Sequence, residues 1–369
     1  MTSGRVLVIN AGSSSLKLRV LDERDDVVVW RDLPAPRGRV DNGALARVVR
    51  GCGPVDAVGH RIVHGGTEFR DPVLIDPDVR ARLGALTDLA PLHQPKSLAA
   101  LDALGAVLPD VPAVACFDTA FHARIPPAAA TYALPREWRT RWPLRRFGFH
   151  GLSHGYASRR AAELLAGLPG RRLRLVSCHL GSGASLAAVH GGRSVDTTMG
   201  FTPLEGLVMA TRSGTVDPGL VLWLQQHAGM PSGELAATLE HRSGLLGLAG
   251  TGDMREVLAQ AAAGSPDARL AVDVYLHRAR AGIAAMAAAM DGLDALVFTG
   301  GVGENSAVIR ARVTDGLGFL GISLDPQRNT VDDGDRDIGT QYAAVRPLVI
   351  TSREDREIAR AVREVLAAH

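Results

Sequence analysis

Two stretches of the chain share one pattern, in which an apolar strand leads through a turn of small residues into a second apolar strand. The first strand pair is Val6–Ile9 and Leu16–Val20, and the second is Leu175–Leu180 and Leu186–Val189. Short apolar runs of this kind suit strands that are buried in a sheet. The repeat predicts an internal duplication, with one such hairpin in each of two similar halves.

Strand-like and helix-like segments alternate through the rest of the chain, which is the pattern of an α/β protein. A chain of 369 residues is also too long for one ordinary core, so we expect two domains. Further strands are predicted at 57–59, 113–117, 295–298 and 347–350. Helices are predicted at 94–108, 156–165, 219–227, 253–263, 266–290, 306–317 and 355–367, with one short helix within 38–53.

Composition excludes several classes of protein. The net charge is +2, with 46% hydrophobic and 22% charged residues, so nothing indicates a surface for nucleic acid or for an anionic membrane. The apolar run at Val6–Ile9 is too short for a signal peptide or a membrane helix, and we expect a cytoplasmic protein. Cys52, Cys116 and Cys178 have no metal-ligand spacing, and we expect them to be buried without a chemical role.

The first turn, over 10–15, is rich in small polar residues and is followed by a lysine. Backbone N–H groups and hydroxyls in such a turn can hold phosphate oxygens. Ser15 and Lys17 are two positions apart and therefore share one face of the strand. Ser13, Ser15 and Lys17 could therefore contact nucleotide phosphates. Taken alone, the motif is more often a polar hairpin turn, and it is not a P-loop, because no Gly-Lys-Ser/Thr precedes a helix.

Two more glycine-rich turns could approach the same ligand. Gly181-Ser182-Gly183 lies in the second hairpin, and two facing hairpins around one nucleotide are typical of actin and the sugar kinases. The stretch 298–305 runs from a strand through glycines towards a helix, where a ligand can come close to the backbone. Three such elements in one chain favour a nucleotide site over three unrelated turns.

Short motifs in a fixed order resemble those of the acetate kinase family, and together they cover nearly the whole chain. They are VINAGSSSLK at 8–17, GHRIVHGG at 59–66, FDTAFH at 117–122, FGFHGLSH at 147–154, MGFTPLEGL at 199–207, TRSG at 211–214 and GGVGENS at 300–306.

The resemblance implies an actin-like or sugar-kinase ATPase fold, with two α/β domains and a nucleotide cleft between them. The first domain would comprise 1–120 plus 353–369, and the second, 121–352, would bind the nucleotide and form a homodimer. The implied reaction is reversible phosphoryl transfer from ATP to acetate, with Mg²⁺, giving acetyl phosphate and ADP. Propionate or butyrate kinase is the alternative, and an actin-like regulatory ATPase is a more distant one.

The resemblance also assigns the metal and nucleotide contacts. Asn10 and Glu354 match magnesium-associated positions. The nucleotide positions comprise Lys17 together with His179, Leu180, Gly181, Ser182, Gly183, Asp253, Met254, Arg255, Gly301, Val302, Gly303, Glu304 and Asn305.

The remaining positions match the acid substrate and the transferring phosphoryl group. Arg61 would hold the acetate carboxylate, and a small apolar pocket would receive the methyl group. His150 and Arg212 would stabilise the phosphoryl oxygens, since positioning and electrostatics dominate this chemistry. Asp118 would act through magnesium or by orienting an arginine, because acetate needs no general base near pH 7. The pocket positions are Val63, Leu92, Phe149 and Pro203.

Each assignment has a plainer alternative. Arg61 and Arg212 could be surface ion-pair partners, and the pocket residues could belong to an ordinary core. His150 and His154 are spaced i, i+4, as in a metal pair on a helix, but Gly148 and Gly151 argue against a helix at that point.

Overall fold

The computed structural model describes residues 4–11, 15–34, 41–90, 94–166 and 172–369. The predicted sites Ser13 and Leu92 lie outside these residues. The chain divides into two compact units, and each is described separately. Unit 1 comprises Met1–Arg124, Phe149–Tyr156 and Arg353–His369, and unit 2 comprises Ile125–Gly148 and Ala157–Ser352.

Unit 1 contains one mixed sheet, in the order β3-β2-β1-β4-β6-β5. Strands β1, β2 and β3 form an antiparallel meander, and β1, β4 and β6 pair in parallel. The edge strand β5 pairs antiparallel with β6. The strands are β1 Val6–Ala11, β2 Ser15–Leu21, β3 Val27–Pro34, β4 Ala57–Ile62, β5 Val73–Leu74 and β6 Ala113–Phe117.

Unit 2 contains a sheet in the order β11-β12-β10-β7-β8-β9. Again three strands form an antiparallel meander, β7 to β9, and β7, β10 and β12 are parallel. The edge strand β11 is antiparallel to β12. The strands are β7 Arg174–Leu180, β8 Ala184–His190, β9 Arg193–Thr197, β10 Ala295–Thr299, β11 Arg336–Asp337 and β12 Arg346–Val349.

Read from the meander outwards, the two sheets have the same strand order and the same strand directions. The two hairpins recognised in the sequence occupy the same place in each sheet, β1/β2 in one and β7/β8 in the other. The predicted α/β class is therefore confirmed, and the repeat in the sequence corresponds to a repeat in topology.

Helices cover the sheets. In unit 1, successive side chains of β1 point to opposite faces of the sheet, as in any strand. The helices are α1 Asn42–Gly51, α2 Pro77–Ala85, α3 Gln94–Val107, α4 Pro127–Ala130, α5 Arg136–Arg141, α6 Gly151–Leu164, α7 Pro218–His227, α8 Ser232–His241, α9 Gly244–Ala249, α10 Met254–Ala262, α11 Pro266–Ala288, α12 Gly300–Asn305, α13 Ala307–Asp315, α14 Pro326–Thr330 and α15 Glu354–Ala367.

The packing of β1 shows how the core of unit 1 is divided. Leu7 packs with Leu45 of α1 and Leu104 of α3. Val8 packs on the other side with Ile358 of α15. The sheet is thus covered on both faces, which explains why its central strands are almost continuously apolar.

The start of α6 differs from the prediction. We expected Gly151 to oppose a helix, but α6 begins at that residue and includes His154. Gly151 donates its backbone N–H to the carbonyl oxygen of Asp118 at 2.8 Å, and a Cβ at Gly151 would overlap that oxygen. The glycine is needed for this close approach and does not interrupt the helix.

The cysteine prediction agrees with the structure. Cys52, Cys116 and Cys178 are free and buried. Burial raises the pKa of Cys116 to about 12, so its thiol stays protonated. Within the described ranges, no helix is both long enough and apolar enough to cross a membrane.

Candidate active site

Four predicted residues of unit 1 meet at the carboxyl ends of its parallel strands. Asn10 is near the end of β1, Arg61 is near the end of β4, and Asp118 follows β6. Glu354 is the first residue of α15. Open α/β sheets commonly bind ligands at this edge, because the carboxyl ends of parallel strands converge there.

Hydrogen bonds join these four side chains. Arg61 donates from Nε to Asp118 Oδ1 at 3.0 Å and from Nη2 to Asp118 Oδ2 at 2.5 Å. Its Nη1 donates to Asn10 Oδ1 at 3.1 Å. Asn10 Nδ2 donates to Glu354 Oε2 at 3.1 Å. Three N–H groups of Arg61 are used in this way, and the guanidinium has further donors for a substrate carboxylate.

The Arg61 and Asp118 pair is well removed from water. Their side chains are 18% and 1% exposed. Burial alone would lower the pKa of Arg61, but the charges of Asp118 and Glu354 more than offset it, and the pKa is raised. Arg61 therefore stays positively charged and is held in place by the neighbouring carboxylates. It is not a mobile partner in a surface ion pair.

His150 and Phe149 lie just before α6, also within unit 1. His150 is partly exposed and has a φ of 56°, a backbone conformation that non-glycine residues seldom adopt. The backbone of the neighbouring residue Phe149 is held by a hydrogen bond with His122, whose Nε2 lies 3.1 Å from the Phe149 carbonyl oxygen. Strained residues of this kind cluster at functional sites.

Two of the predicted pocket residues, Val63 and Phe149, lie among the described residues of unit 1, and both are apolar and buried. Phe149 is 1% exposed and Val63 is 6% exposed. The ring of His64, next to Val63, meets the ring of Phe149 edge-on at 5.5 Å between centroids. Burial lowers the pKa of His64 to about 4, so this ring is neutral and acts as packing.

In the first hairpin, Lys17 lies opposite Asn10 in the β1/β2 register. Its side chain is exposed, and Leu16 and Leu18 on either side are buried. Ser15 opens β2 on the less buried face that Lys17 also occupies. The predicted common face of Ser15 and Lys17 therefore agrees with the strand geometry.

In unit 2, two of the predicted nucleotide segments, 179–183 and 301–305, lie at the carboxyl ends of neighbouring parallel strands, β7 and β10. Thr299, at the end of β10, pairs with His179 of β7. The turn 181–183 is closed by Gly181 N–H donating to the Gly183 carbonyl at 2.9 Å. Glu304 accepts from the backbone N–H of Gly300 at 2.8 Å and of Ser352 at 2.9 Å.

These contacts fix the glycine-rich segment 300–305. Burial raises the pKa of Glu304, and the two backbone donors counteract part of that rise. Asn305 Nδ2 donates to the Gly301 carbonyl at 2.8 Å. Gly301 and Asn305 are exposed and Gly303 is buried, and Val302 lies between these extremes.

The third predicted nucleotide segment begins α10. Asp253 caps the helix by accepting from the Arg255 backbone N–H at 2.9 Å. The Arg255 side chain pairs with Asp253 at 2.5 Å and is 91% exposed. This hydrogen bonding lowers the pKa of Asp253 to about 2. Met254 is buried, so its side chain belongs to the core.

Arg212 lies on a loop that touches the phosphate turn. The Ala210 N–H donates to the Ser182 carbonyl at 3.1 Å, and Met209 N–H donates to the Arg212 carbonyl at 3.2 Å. Arg212 Nη1 donates to the carbonyl oxygen of buried Pro203 at 2.7 Å. Among the described residues, no carboxylate forms an ion pair with Arg212. Burial lowers the pKa of Arg212, although the charge of Glu240 opposes the shift.

One cluster near this loop was not predicted. Tyr132, Arg146 and Glu205 are joined by hydrogen bonds within unit 2. The three residues are far apart along the chain, and no spacing rule connects them. Glu205 does lie in a recognised motif, which is the one signal that could have drawn attention to it.

A family model described as the acetokinase family matches residues 39–360. The chain belongs to the acetokinase family. An acetate kinase of Gloeobacter violaceus is 50% identical over 85% of this chain and 78% of its own length.

Solved structures of similar proteins cover nearly the whole chain. An acetate kinase of Porphyromonas gingivalis is 35% identical, with a TM-score of 0.89 over 98% of this chain and 99% of its own. A propionate kinase of Francisella tularensis is also 35% identical, with a TM-score of 0.90 and the same coverage. This acetokinase-family chain is thus a kinase with the α/β fold of those proteins.

Proposed function

We propose that this chain catalyses reversible phosphoryl transfer from ATP to acetate, giving acetyl phosphate and ADP. The observation that carries the proposal is the cluster of Arg61, Asp118, Asn10 and Glu354. It combines a partly exposed, orientated guanidinium for a carboxylate with oxygen groups suited to a metal ion.

Acetate would bind through its carboxylate to Arg61, with Asp118 holding the guanidinium in one orientation. The methyl group would contact Val63, Leu92, Phe149 and Pro203. His150 and Arg212 would donate hydrogen bonds to the phosphoryl oxygens, where negative charge is spread in the transition state. Such donors accelerate the reaction because they are already in place before the charge develops.

The nucleotide would contact the residues that the resemblance assigns to it. Ser13, Ser15 and Lys17 of the first hairpin and the segment 179–183 of the second would contact its phosphates. The segments 253–255 and 301–305 would contact adenosine. The exposed side chain of Lys17 on the face shared with Ser15 supports the phosphate assignment.

Magnesium fits the donor set of unit 1. Asn10 and Glu354 carry an amide and a carboxylate oxygen, which are the hard ligands that Mg²⁺ prefers. Asn10 Nδ2 donates to Glu354 Oε2 at 3.1 Å, and Asn10 Oδ1 accepts from Arg61. These two residues would hold the ion, which supplies charge neutralisation to the phosphates when bound. We also propose a cytoplasmic location, since ATP is the phosphoryl donor.

A homodimer is supported by α7. This helix is rich in large apolar residues, yet none of its residues is buried. Leu220, Leu222 and Trp223 are 49%, 54% and 53% exposed. Large apolar side chains exposed on one helix are typical of a protein interface, and we propose that a second copy of the chain covers them.

The test is a trapping assay with purified protein, ATP, Mg²⁺ and hydroxylamine. Acyl hydroxamate should form with acetate faster than with propionate or butyrate at equal concentrations. Propionate is included because the similar propionate kinase makes it the main competing substrate. Faster reaction with propionate would assign that acid instead. ATP hydrolysis without any acyl hydroxamate would favour a regulatory ATPase and contradict the proposal.

A further inference from the structure

Tyr132, Arg146 and Glu205 form a compact charged cluster in unit 2. Tyr132 Oη donates to Glu205 Oε2 at 2.7 Å, and Arg146 Nη2 donates to Glu205 Oε1 at 2.7 Å. The side chains of Arg146 and Glu205 are 18% and 33% exposed. Both carboxylate oxygens are therefore engaged, and the carboxylate is held from two sides.

The same cluster holds the backbone of the loop 198–205. The N–H of Phe201 donates to Tyr132 Oη at 2.9 Å. Arg146 Nη1 donates to the Thr198 carbonyl at 3.0 Å. Tyr132 and Arg146 thus bind the loop at two points, and Glu205, which lies in the loop, provides a third.

Gly200 shows how closely the loop packs on the cluster. A Cβ at this position would overlap both Glu205 Oε2 and Tyr132 Oη. The Gly200 carbonyl also accepts from the backbone N–H of Phe147 at 3.0 Å. Only glycine allows the loop to reach its hydrogen-bonding partners here.

Pro203 lies in this loop, and its carbonyl oxygen accepts the hydrogen bond from Arg212 Nη1 at 2.7 Å. No described carboxylate forms an ion pair with Arg212. Its guanidinium is therefore placed by a neutral backbone acceptor, whose position depends on the loop. A displacement of the loop would move that acceptor and, with it, the guanidinium.

We propose that Tyr132, Arg146 and Glu205 are positioning residues that set the Pro203 carbonyl and thereby the guanidinium of Arg212. The cluster acts through the loop and does not touch the substrates. The inference rests on the proposed function, because it concerns the arginine assigned to the phosphoryl group.

The central test is Tyr132→Phe, which removes one hydroxyl and both hydrogen bonds that it makes. A small displacement of a catalytic group lowers the rate of reaction strongly. We therefore expect kcat to fall about tenfold, while the KM for ATP changes less than about twofold. Tyr342→Phe is the matched control, since Tyr342 is 87% exposed. It should retain the wild-type kcat.

A double-mutant cycle tests whether the effect passes through Arg212. In an Arg212→Ala background the guanidinium is absent, so Tyr132→Phe should cause no further loss of kcat. A full tenfold further loss would overturn the proposal. So would a wild-type kcat in folded Tyr132→Phe.

Glu205→Gln provides a second route, and it is the deciding variant if Tyr132→Phe does not fold. It keeps the size of the side chain but replaces one acceptor oxygen with a donor, and it should show the same kcat loss and the same non-additivity. Wild-type protein that yields no acyl hydroxamate from any acid would contradict the proposed function itself. Active wild type with additive variants would contradict the positioning role alone.

Discussion

Arg61 in unit 1 and Arg212 in unit 2 are both partly buried arginines, yet their surroundings differ. Arg61 makes a bidentate pair with Asp118 and lies 3.9 Å from Glu354. Arg212 donates to one neutral carbonyl, that of Pro203. The pKa of Arg61 is raised by carboxylates that outweigh burial, whereas burial lowers the pKa of Arg212.

This difference suits two separate tasks. The charge of Arg61 is largely balanced before any ligand binds, so its contribution is a fixed geometry for a substrate carboxylate. Among the described residues, no carboxylate forms an ion pair with Arg212, so its charge can act on negative charge that develops during the reaction. Interactions that strengthen in the transition state raise kcat. Interactions that are equally strong with the bound substrate and with the transition state lower KM.

The strongest test of this comparison is Arg212→Ala. Loss of an arginine that stabilises a transferring phosphoryl group costs about 1,000-fold or more in kcat, and we expect that loss with little change in either KM. Steady-state kinetics at varied ATP and acetate measure both parameters. Arg242→Ala, which alters a 60% exposed arginine, is the control. A normal kcat with weak acetate binding would reverse the roles assigned to the two arginines.

Asp118→Asn tests the opposite side of the comparison. The variant leaves Arg61 partly buried without its main counter-charge and free to turn, so kcat/KM for acetate should fall about 100-fold. Breaking a buried pair should also lower the free energy of unfolding by about 3 kcal/mol. Denaturant unfolding and acetate kinetics provide the two measurements.

Magnesium distinguishes the two roles expected for Asp118. If Asp118 acts mainly by orienting Arg61, excess Mg²⁺ should not restore the activity of Asp118→Asn. Partial recovery at high Mg²⁺ would instead assign the residue to the metal ion. The control is Asp102→Asn, since the Asp102 side chain is 51% exposed and pairs with Arg80. This variant should change neither activity nor magnesium dependence.

The two units should also differ in their response to acid. Burial lowers the pKa of His60, His64 and His122 in unit 1 to about 4, whereas unfolding returns each to about 6.5. The unfolded state therefore binds more protons between these values, and stability is lost as the pH falls from about 6.5 towards 4. None of the described histidines of unit 2 is buried.

We expect each of these three histidines to reduce the free energy of unfolding by about 1–2 kcal/mol between pH 7 and pH 5. Urea unfolding of wild type and His60→Gln at both pH values measures the contribution of His60 to this loss of stability. The variant should lose less stability than wild type on acidification. Equal losses would show that His60 does not contribute.

The smallest predicted effect concerns acyl size. Val63→Ala removes two methyl groups from a residue that is 6% exposed, and should favour propionate over acetate by about tenfold in relative kcat/KM. Val308→Ala, at a 53% exposed valine, is the control. An unchanged preference in folded protein would remove Val63 from the pocket, and with it the local support for acetate.

The sequence predicted the elements that carry strong local patterns. Strand β6 and helix α7 agree with their predictions to within one residue, because apolar runs and helix-favouring segments are local signals. Strand β3 was missed, since an exposed strand has no apolar alternation to reveal it. The motifs contained Asn10, Arg61 and Asp118 of the unit 1 cluster, but they did not predict the contacts between these residues.

Contacts that depend on the tertiary fold could not be predicted. Arg61 and Asp118 are separated by 57 positions, and Tyr132 and Glu205 by 73. No helical or strand period relates residues at such separations. Only the parallel pairing of β4 with β6 brings Asp118 beside Arg61.

The hydrogen bond between Asn10 and Glu354 spans 344 positions of the chain, and this separation has a consequence during protein synthesis. A ribosome adds about 5–20 residues per second, so on the order of 17–70 s pass between the emergence of these two residues. Until α15 emerges, Val8 lacks its packing partner Ile358. For that interval the nascent sheet of unit 1 exposes an apolar face, and chaperones that shield such faces should associate with translating ribosomes at this stage.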